Sequence, residues 1–171
     1  MSKFTITGFS DEISPDFQVQ LNEIERLGIA YIEIRGVNGK NISDHSLDEV
    51  EIIKKQMDMK QIGVSAIGSP IGKIKITEDF EPHFEKFKHT IEIAKKLGTK
   101  YIRLFSFFVE EGTADRYRDD VLQRLKEMVH YAEEEKIILL HENEKDIYGD
   151  TPERCLDLYE SMNSEHFKLI F

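Results

Sequence analysis

The sequence contains one cysteine, Cys155, in 171 residues. A lone thiol excludes an internal disulfide framework and fits a reducing compartment, so a cytoplasmic protein is expected. Long apolar runs are also missing. None approaches the roughly 20 residues that cross a bilayer, so no membrane partner is expected. Positive charge is scarce: 23 Lys and Arg stand against 33 Asp and Glu, a net charge of -10. Without a basic stripe, broad contact with nucleic-acid phosphates is disfavoured. Met1-Ser2-Lys3-Phe4 leads straight into an expected strand and does not read as a signal peptide. No HExxH spacing, P-loop, interior linker or low-complexity segment is present.

What is present is a repeated unit. Leu27-Gly28-Ile29-Ala30-Tyr31-Ile32-Glu33-Ile34-Arg35 and Leu97-Gly98-Thr99-Lys100-Tyr101-Ile102-Arg103-Leu104-Phe105 read almost alike. Each ends an amphipathic helix at Gly and enters a strand two residues later. Looser copies lie at Gly63–Ser69, Lys136–Glu142 and His166–Phe171. A helix-to-strand unit recurring at roughly 30 to 38 residues means βα units and a parallel sheet, an α/β fold. Such sheets carry their chemistry at the carboxyl ends of the strands.

The pattern predicts six strands: Phe4–Phe9, Ala30–Arg35, Val64–Ser69, Tyr101–Phe107, Ile137–Glu142 and one from about Phe167. Five helices alternate with them. The first opens at Ser14-Pro15 and stops at Gly28. The second opens at Ser46 with Glu49 as a capping box, and the fifth at Thr151-Pro152. Residues Gly36 to Asp44 read as a loop. The sequence ends at Lys168-Leu169-Ile170-Phe171, inside an apolar strand. An eightfold βα barrel needs about 250 residues and rarely fewer than about 200. The chain reads either as a single domain, residues 1–171, forming the N-terminal two-thirds of a barrel, or as an open sheet closed by its last strand.

Strand alternation separates Ile32 and Ile34 from Tyr31, Glu33 and Arg35, and Ile102 and Leu104 from Tyr101, Arg103 and Phe105. The aliphatic sets should pack under helices. A doubly wound sheet should be apolar on both faces of its central strands. Glu33 and Arg103 therefore favour a barrel interior, with an internal ion pair or an exposed edge as the plainer reading. Ile137-Ile138-Leu139-Leu140 is apolar on both faces and ends in His141-Glu142-Asn143-Glu144. A carboxylate taken into such a strand end needs a metal, a cation or a hydrogen-bonding ligand. Alternatively, backbone amides hold it in a loop.

Adjacent strand residues face opposite ways, so His141 and Glu142 cannot share one site, and His141 belongs under helices or in the turn. His83, His89 and His130 fall within helices and read as surface or packing residues; His45 and His166 are poorly placed. Cys155, beside Leu156, reads as core. Phe105-Ser106-Phe107-Phe108 could flank a sugar or fill the core. Gly68-Ser69-Pro70-Ile71-Gly72 could offer backbone amides to a phosphate.

Leu140-His141-Glu142-Asn143, followed by Gly149-Asp150-Thr151-Pro152-Glu153 and Leu156, resembles the xylose isomerase-like TIM barrels. These include sugar phosphate isomerases and epimerases and the so-called AP endonuclease family 2. Gly28 with Tyr31-Ile32-Glu33, Gly98 with Tyr101-Ile102-Arg103, and Thr7-Gly8-Phe9-Ser10 agree with it. The resemblance covers essentially the whole chain. It implies a (β/α)8 barrel of which about six strands and five helices are here. It also implies one divalent metal, Mn, Mg or Zn, held by Glu, Asp, His and Glu on the fifth to eighth strands. Only the first ligand maps, onto Glu142, which the resemblance also makes the acid/base; the Asp is expected just beyond Phe171.

The implied activity is proton transfer next to a carbonyl in a sugar or sugar phosphate. Glu33, Arg35, Ser69, Phe105 and Asn143 are the expected substrate contacts, and Glu33 is expected near Glu142. With one ligand and one acid/base, the chain alone is expected to be inactive, and the metal is expected in the full-length protein. Its unpaired outer strands predict a homo-oligomer or a missing C-terminal segment. The alternatives are a non-catalytic sugar-binding or assembly module and, disfavoured by the acidic charge, an abasic-site endonuclease.

Overall fold

The computed structural model of the chain describes residues 4–171, so the leader reading at Met1-Ser2-Lys3 lies outside the described residues. Two units emerge: the chain through Ser69 with Glu92–Tyr101, and Pro70–Ile91 with Ile102–Phe171.

In the first unit, α1 is Phe17–Arg26 and β1 is Tyr31–Ile34. A hairpin of β2, Gly36–Val37, and β3, Lys40–Asn41, follows, then a 3-10 turn at Ile42–Asp44. Next come α2, Leu47–Met59, and β4, Gly63–Gly68. Strands β1 and β4 pair in parallel, Tyr31 beside Gly63 and Ile34 beside Ile67. Ile32 and Ile34 are fully buried, as their alternation demands.

Three expectations are corrected here. Phe4–Phe9 forms no regular strand, although the Gly8 carbonyl accepts a bond from Glu33 N, at 3.0 Å. Alternation of side chains does not by itself make a strand; a regular backbone ladder is needed. The cap of α1 is Asp16, whose carboxylate accepts from Gln18 N and Val19 N, whereas the Ser14 hydroxyl accepts from Asp16 N. A carboxylate at the positive helix end outcompetes a hydroxyl two residues earlier. The expected loop at Gly36 to Asp44 contains the hairpin. The Ser46–Glu49 capping box forms in full.

Helix α3 spans Glu81–Leu97 and β5 Tyr101–Leu104. The second unit continues with α4, Ala114–Glu134, β6, Ile138–Glu142, α5, Pro152–Met162, and β7, Phe167–Ile170. Here β5, β6 and β7 lie side by side, and β6 and β7 run parallel with Leu139 beside Phe167 and Glu142 beside Ile170. Strand β5 stops at Leu104, short of the expected Phe107: Phe105 N donates to the loop carbonyl of Ile71, and Phe107 takes a left-handed φ of 65°. Helix α5 opens as expected, with Thr151 as cap and Pro152 in its first turn. A polar clasp ties it to α4: Arg118 binds both oxygens of Asp157, at 2.9 and 2.6 Å, and Tyr148 donates to the same carboxylate at 2.6 Å. Burial and that carboxylate push the Tyr148 phenol up to about 12. Among the described residues, no helix is long and apolar enough to cross a membrane.

Candidate active site

Glu142 is the last residue of β6. Burial alternates along that strand, so His141 turns to the side of Leu139 and Glu142 to the other. His141 is fully buried. Its Nε2 lies 3.0 Å from the Ser106 hydroxyl, which also accepts from Gly149 N at 2.8 Å. Gly149 is required for closeness: a Cβ there would lie 2.5 Å from His141 Cε1. Burial lowers the His141 pKa to about 4, so a neutral imidazole packs under the helices.

The side of Glu142 holds charge. Arg103, in the middle of β5 and only 7% exposed, brings Nη1 to 2.9 Å from Glu142 Oε2. Desolvating a guanidinium costs several kcal/mol unless an opposite charge meets it, and Glu142 supplies that charge. The contact is ionic and lacks hydrogen-bond alignment at Oε2, a buried atom. The Arg103 guanidinium also lies 5.1 Å from the centre of the Phe105 ring. Lys73 Nζ reaches the same ring at 4.2 Å and Glu144 Oε2 at 2.6 Å. Two cations and two carboxylates thus gather around one phenyl group.

The backbone before Lys73 is clamped. Gly72 has a φ of +87° and lies against Phe105. Phe105 N donates to Ile71 O at 2.8 Å, and Phe107 N to Gly72 O at 3.0 Å. Gly72 N donates to His83 Nε2 at 2.8 Å, so His83 must present a bare ring nitrogen. Burial, with Lys86 and Arg124 nearby, lowers His83 to about 4. Beyond this clamp the loops join by backbone bonds. Ile76 N donates to Phe108 O, Phe108 N to Ile74 O, Val109 N to Asp146 O, and Tyr148 N to Phe107 O.

In the first unit, Glu33 is half-buried in β1. Arg35, just beyond, bonds Asp11 at 2.8 Å and Glu12 at 2.5 Å and stacks on Phe9 at 4.4 Å. Asp11 beside it raises its pKa further. Ser69 is fully buried, Phe105 is 1% exposed, and Asn143 is exposed. The structure therefore gathers Glu142 and Phe105 around Arg103, and occupies Arg35 with two internal carboxylates. The expectation that Glu33 neighbours Glu142 spans the two units and stays an expectation. Lys73 was missed altogether, since nothing in a Gly- and Pro-containing loop marks a lysine that turns back over a ring. Cys155 is buried against Gly149 O, and burial raises its thiol.

The sequence matches the xylose isomerase-like TIM barrel family over residues 21–171. The chain belongs to that family. Among curated proteins, none matches the sequence. A xylose isomerase-like TIM barrel protein from Mycobacterium smegmatis, in complex with magnesium, superposes with a TM-score of 0.78 at 15% identity, over 98% of this chain and 64% of its own. The probable 3-DHS dehydratase AsbF from Bacillus anthracis gives 0.77 at 19%, over 97% and 62%. A D-tagatose 3-epimerase-like protein gives 0.72 at 17%, over 95% and 63%. These likenesses show the TIM-barrel fold. The chain spans less than two-thirds of the length of each.

A family metal is a test the present residues do not pass. Among the described residues, no group of three or more His, Cys, Asp or Glu could hold an ion. Glu142 offers one carboxylate, already facing a guanidinium. Divalent ions of this kind take several oxygen donors, and the described residues do not supply them.

Two of the buried histidines, His83 and His141, predict an acid sensitivity. The folded pKa of each, about 4, lies below the unfolded 6.5, so between these values the unfolded chain binds more protons. Stability is then full above pH 6.5 and lost as pH falls towards 4, by roughly 2 kcal/mol per histidine at pH 5. Urea unfolding at pH 7.5 and pH 5.0 should show the loss, and NMR should find both imidazoles neutral in the folded chain at pH 5. Imidazoles titrating near 6.5 would overturn the assignment.

Proposed function

We propose that the protein containing this chain isomerises or epimerises a sugar or sugar phosphate by proton transfer next to a carbonyl, with Glu142 as the group that carries the proton. The observation behind this reading is the carboxylate of Glu142 at the carboxyl end of β6, held through Oε2 by the buried Arg103. Oε1 is the oxygen left to accept the proton. As the C–H bond breaks, its electrons move onto the carbonyl oxygen and give an enediolate. Reprotonation of the same carbon on the same face restores the substrate; reprotonation of the neighbouring carbon, with a proton passing between the two oxygens, moves the carbonyl. Inversion needs a second acid on the other face. Membership of the family and the likeness to an epimerase-like protein support this reading. If the whole protein uses a divalent metal, its donors must come largely from outside the described residues.

The test is to incubate the whole protein in D2O with ketoses and ketose phosphates, with Mg²⁺ or Mn²⁺ present, and to follow deuterium by mass spectrometry. One deuterium should enter at the carbon beside the carbonyl. The 171-residue chain alone should exchange nothing with Mn²⁺, Mg²⁺ or Zn²⁺. Exchange by the pure chain that disappears in Glu142→Gln would overturn the second expectation. Substrate binding without any exchange by the whole protein would instead establish a sugar-binding module.

A further inference from the structure

Lys73 sits where an anion would be recognised. Its side chain is one-third exposed, with the ammonium over the Phe105 ring at 4.2 Å and against Glu144 at 2.6 Å. The residue before it is fixed by its bonds to His83 and Phe107 and by its close approach to the Phe105 backbone. A fixed backbone anchors the root of this side chain while its ammonium can change partner. That partner, Glu144, is more than one-third exposed and sits in the segment after β6, where turning out to water costs little. The other cation on the ring, Arg103, is bound to the carboxylate that the proposed chemistry needs. Lys73 is the one whose carboxylate has no other assigned work.

We infer that Lys73 binds an anionic phosphate substituent of the substrate, and that Glu144 holds its place until the substrate displaces it. This rests on the proposed proton-transfer reading and narrows it to the phosphorylated sugars. The exchange is balanced in charge. An ammonium–carboxylate pair becomes an ammonium–phosphate pair, and the released carboxylate is hydrated. Phosphate forms the stronger charge-assisted bonds, with three acceptor oxygens.

The experiment is calorimetric titration of the 171-residue chain with inorganic phosphate at low ionic strength, compared with Lys73→Ala, Lys73→Arg and Glu144→Gln. Thermal melts confirm that each variant is folded. Lys73→Ala should weaken phosphate binding roughly tenfold to a hundredfold, the loss of one charged hydrogen bond. Lys73→Arg should keep most of it. Glu144→Gln should tighten it by up to about fivefold, since a part-exposed competing pair is worth at most about 1 kcal/mol. Equal binding in all four, no binding in any, or weaker binding in Glu144→Gln would each overturn the inference. Ribose 5-phosphate and ribose form a second arm, in which only the phosphate ester should bind with a dependence on Lys73. Turnover of neutral sugars alone by the whole protein would sink this inference and leave the proton-transfer reading standing. Lys73-dependent phosphate binding without deuterium exchange would do the reverse.

Discussion

Glu142→Gln should remove deuterium exchange by the whole protein, lowering kcat by about 10²- to 10⁴-fold, the usual contribution of a positioned acid or base. Glutamine keeps the shape of the side chain and loses only the ability to take a proton at neutral pH. It also leaves Arg103 facing a neutral amide. Glu142 is one-third exposed, so water partly compensates, and the stability cost should be about 1–2 kcal/mol. Arg103→Met combined with Glu142→Gln separates the two effects. The double variant should regain stability relative to Glu142→Gln without regaining exchange. Exchange at the wild-type rate in folded Glu142→Gln would remove this residue from the chemistry.

The largest effect on stability is expected at Gly72. A Cβ there would lie 2.0 Å from Phe105 O and 2.4 Å from Phe105 C. These are backbone atoms in the segment that follows β5, and no flexible side chain can give way. The left-handed φ of +87° adds its own penalty. Gly112 is the natural control, with a φ of +75° and nothing within 4 Å of its missing Cβ. Gly112→Ala should cost about 1 kcal/mol, for the backbone alone. Gly72→Ala should cost about 3–5 kcal/mol in urea unfolding, because overpacking is added and the His83 and Phe107 bonds are strained. Equal losses at the two positions would mean that the loop relaxes freely and that no clamp exists.

These two residues mark how far the sequence can be read. The place of Glu142 at a strand end was legible because an apolar strand that ends in an acid breaks a pattern set by its own neighbours. Gly28, the Ser46–Glu49 box and Thr151-Pro152 were legible for a similar reason, since caps and stops act through residues a few positions away. The segment Phe4–Phe9 misled because alternation records which side chains like burial, whereas a strand also needs a ladder of backbone partners. Gly72 and Lys73 were opaque. Their roles depend on Phe105, His83 and Glu144, which lie far along the chain, and no periodicity links such positions. Arg103 was visible as a charge in a strand, but its pairing with Glu142 was not.

The bonds that join residues 70–77, 105–109 and 146–148 have a consequence for how this protein can diverge. They run from main chain to main chain, through Ile74, Ile76, Phe107, Phe108, Val109, Asp146 and Tyr148. Main-chain pairing is indifferent to side-chain identity but depends on register. Substitutions along these segments can therefore retune what is recognised while the frame stays in place. A one-residue insertion or deletion in any of them would shift the others' partners together. Descendants of this sequence should vary here in letters and hold constant in length, with indels displaced to Glu110–Gly112, where the chain turns through exposed residues before α4.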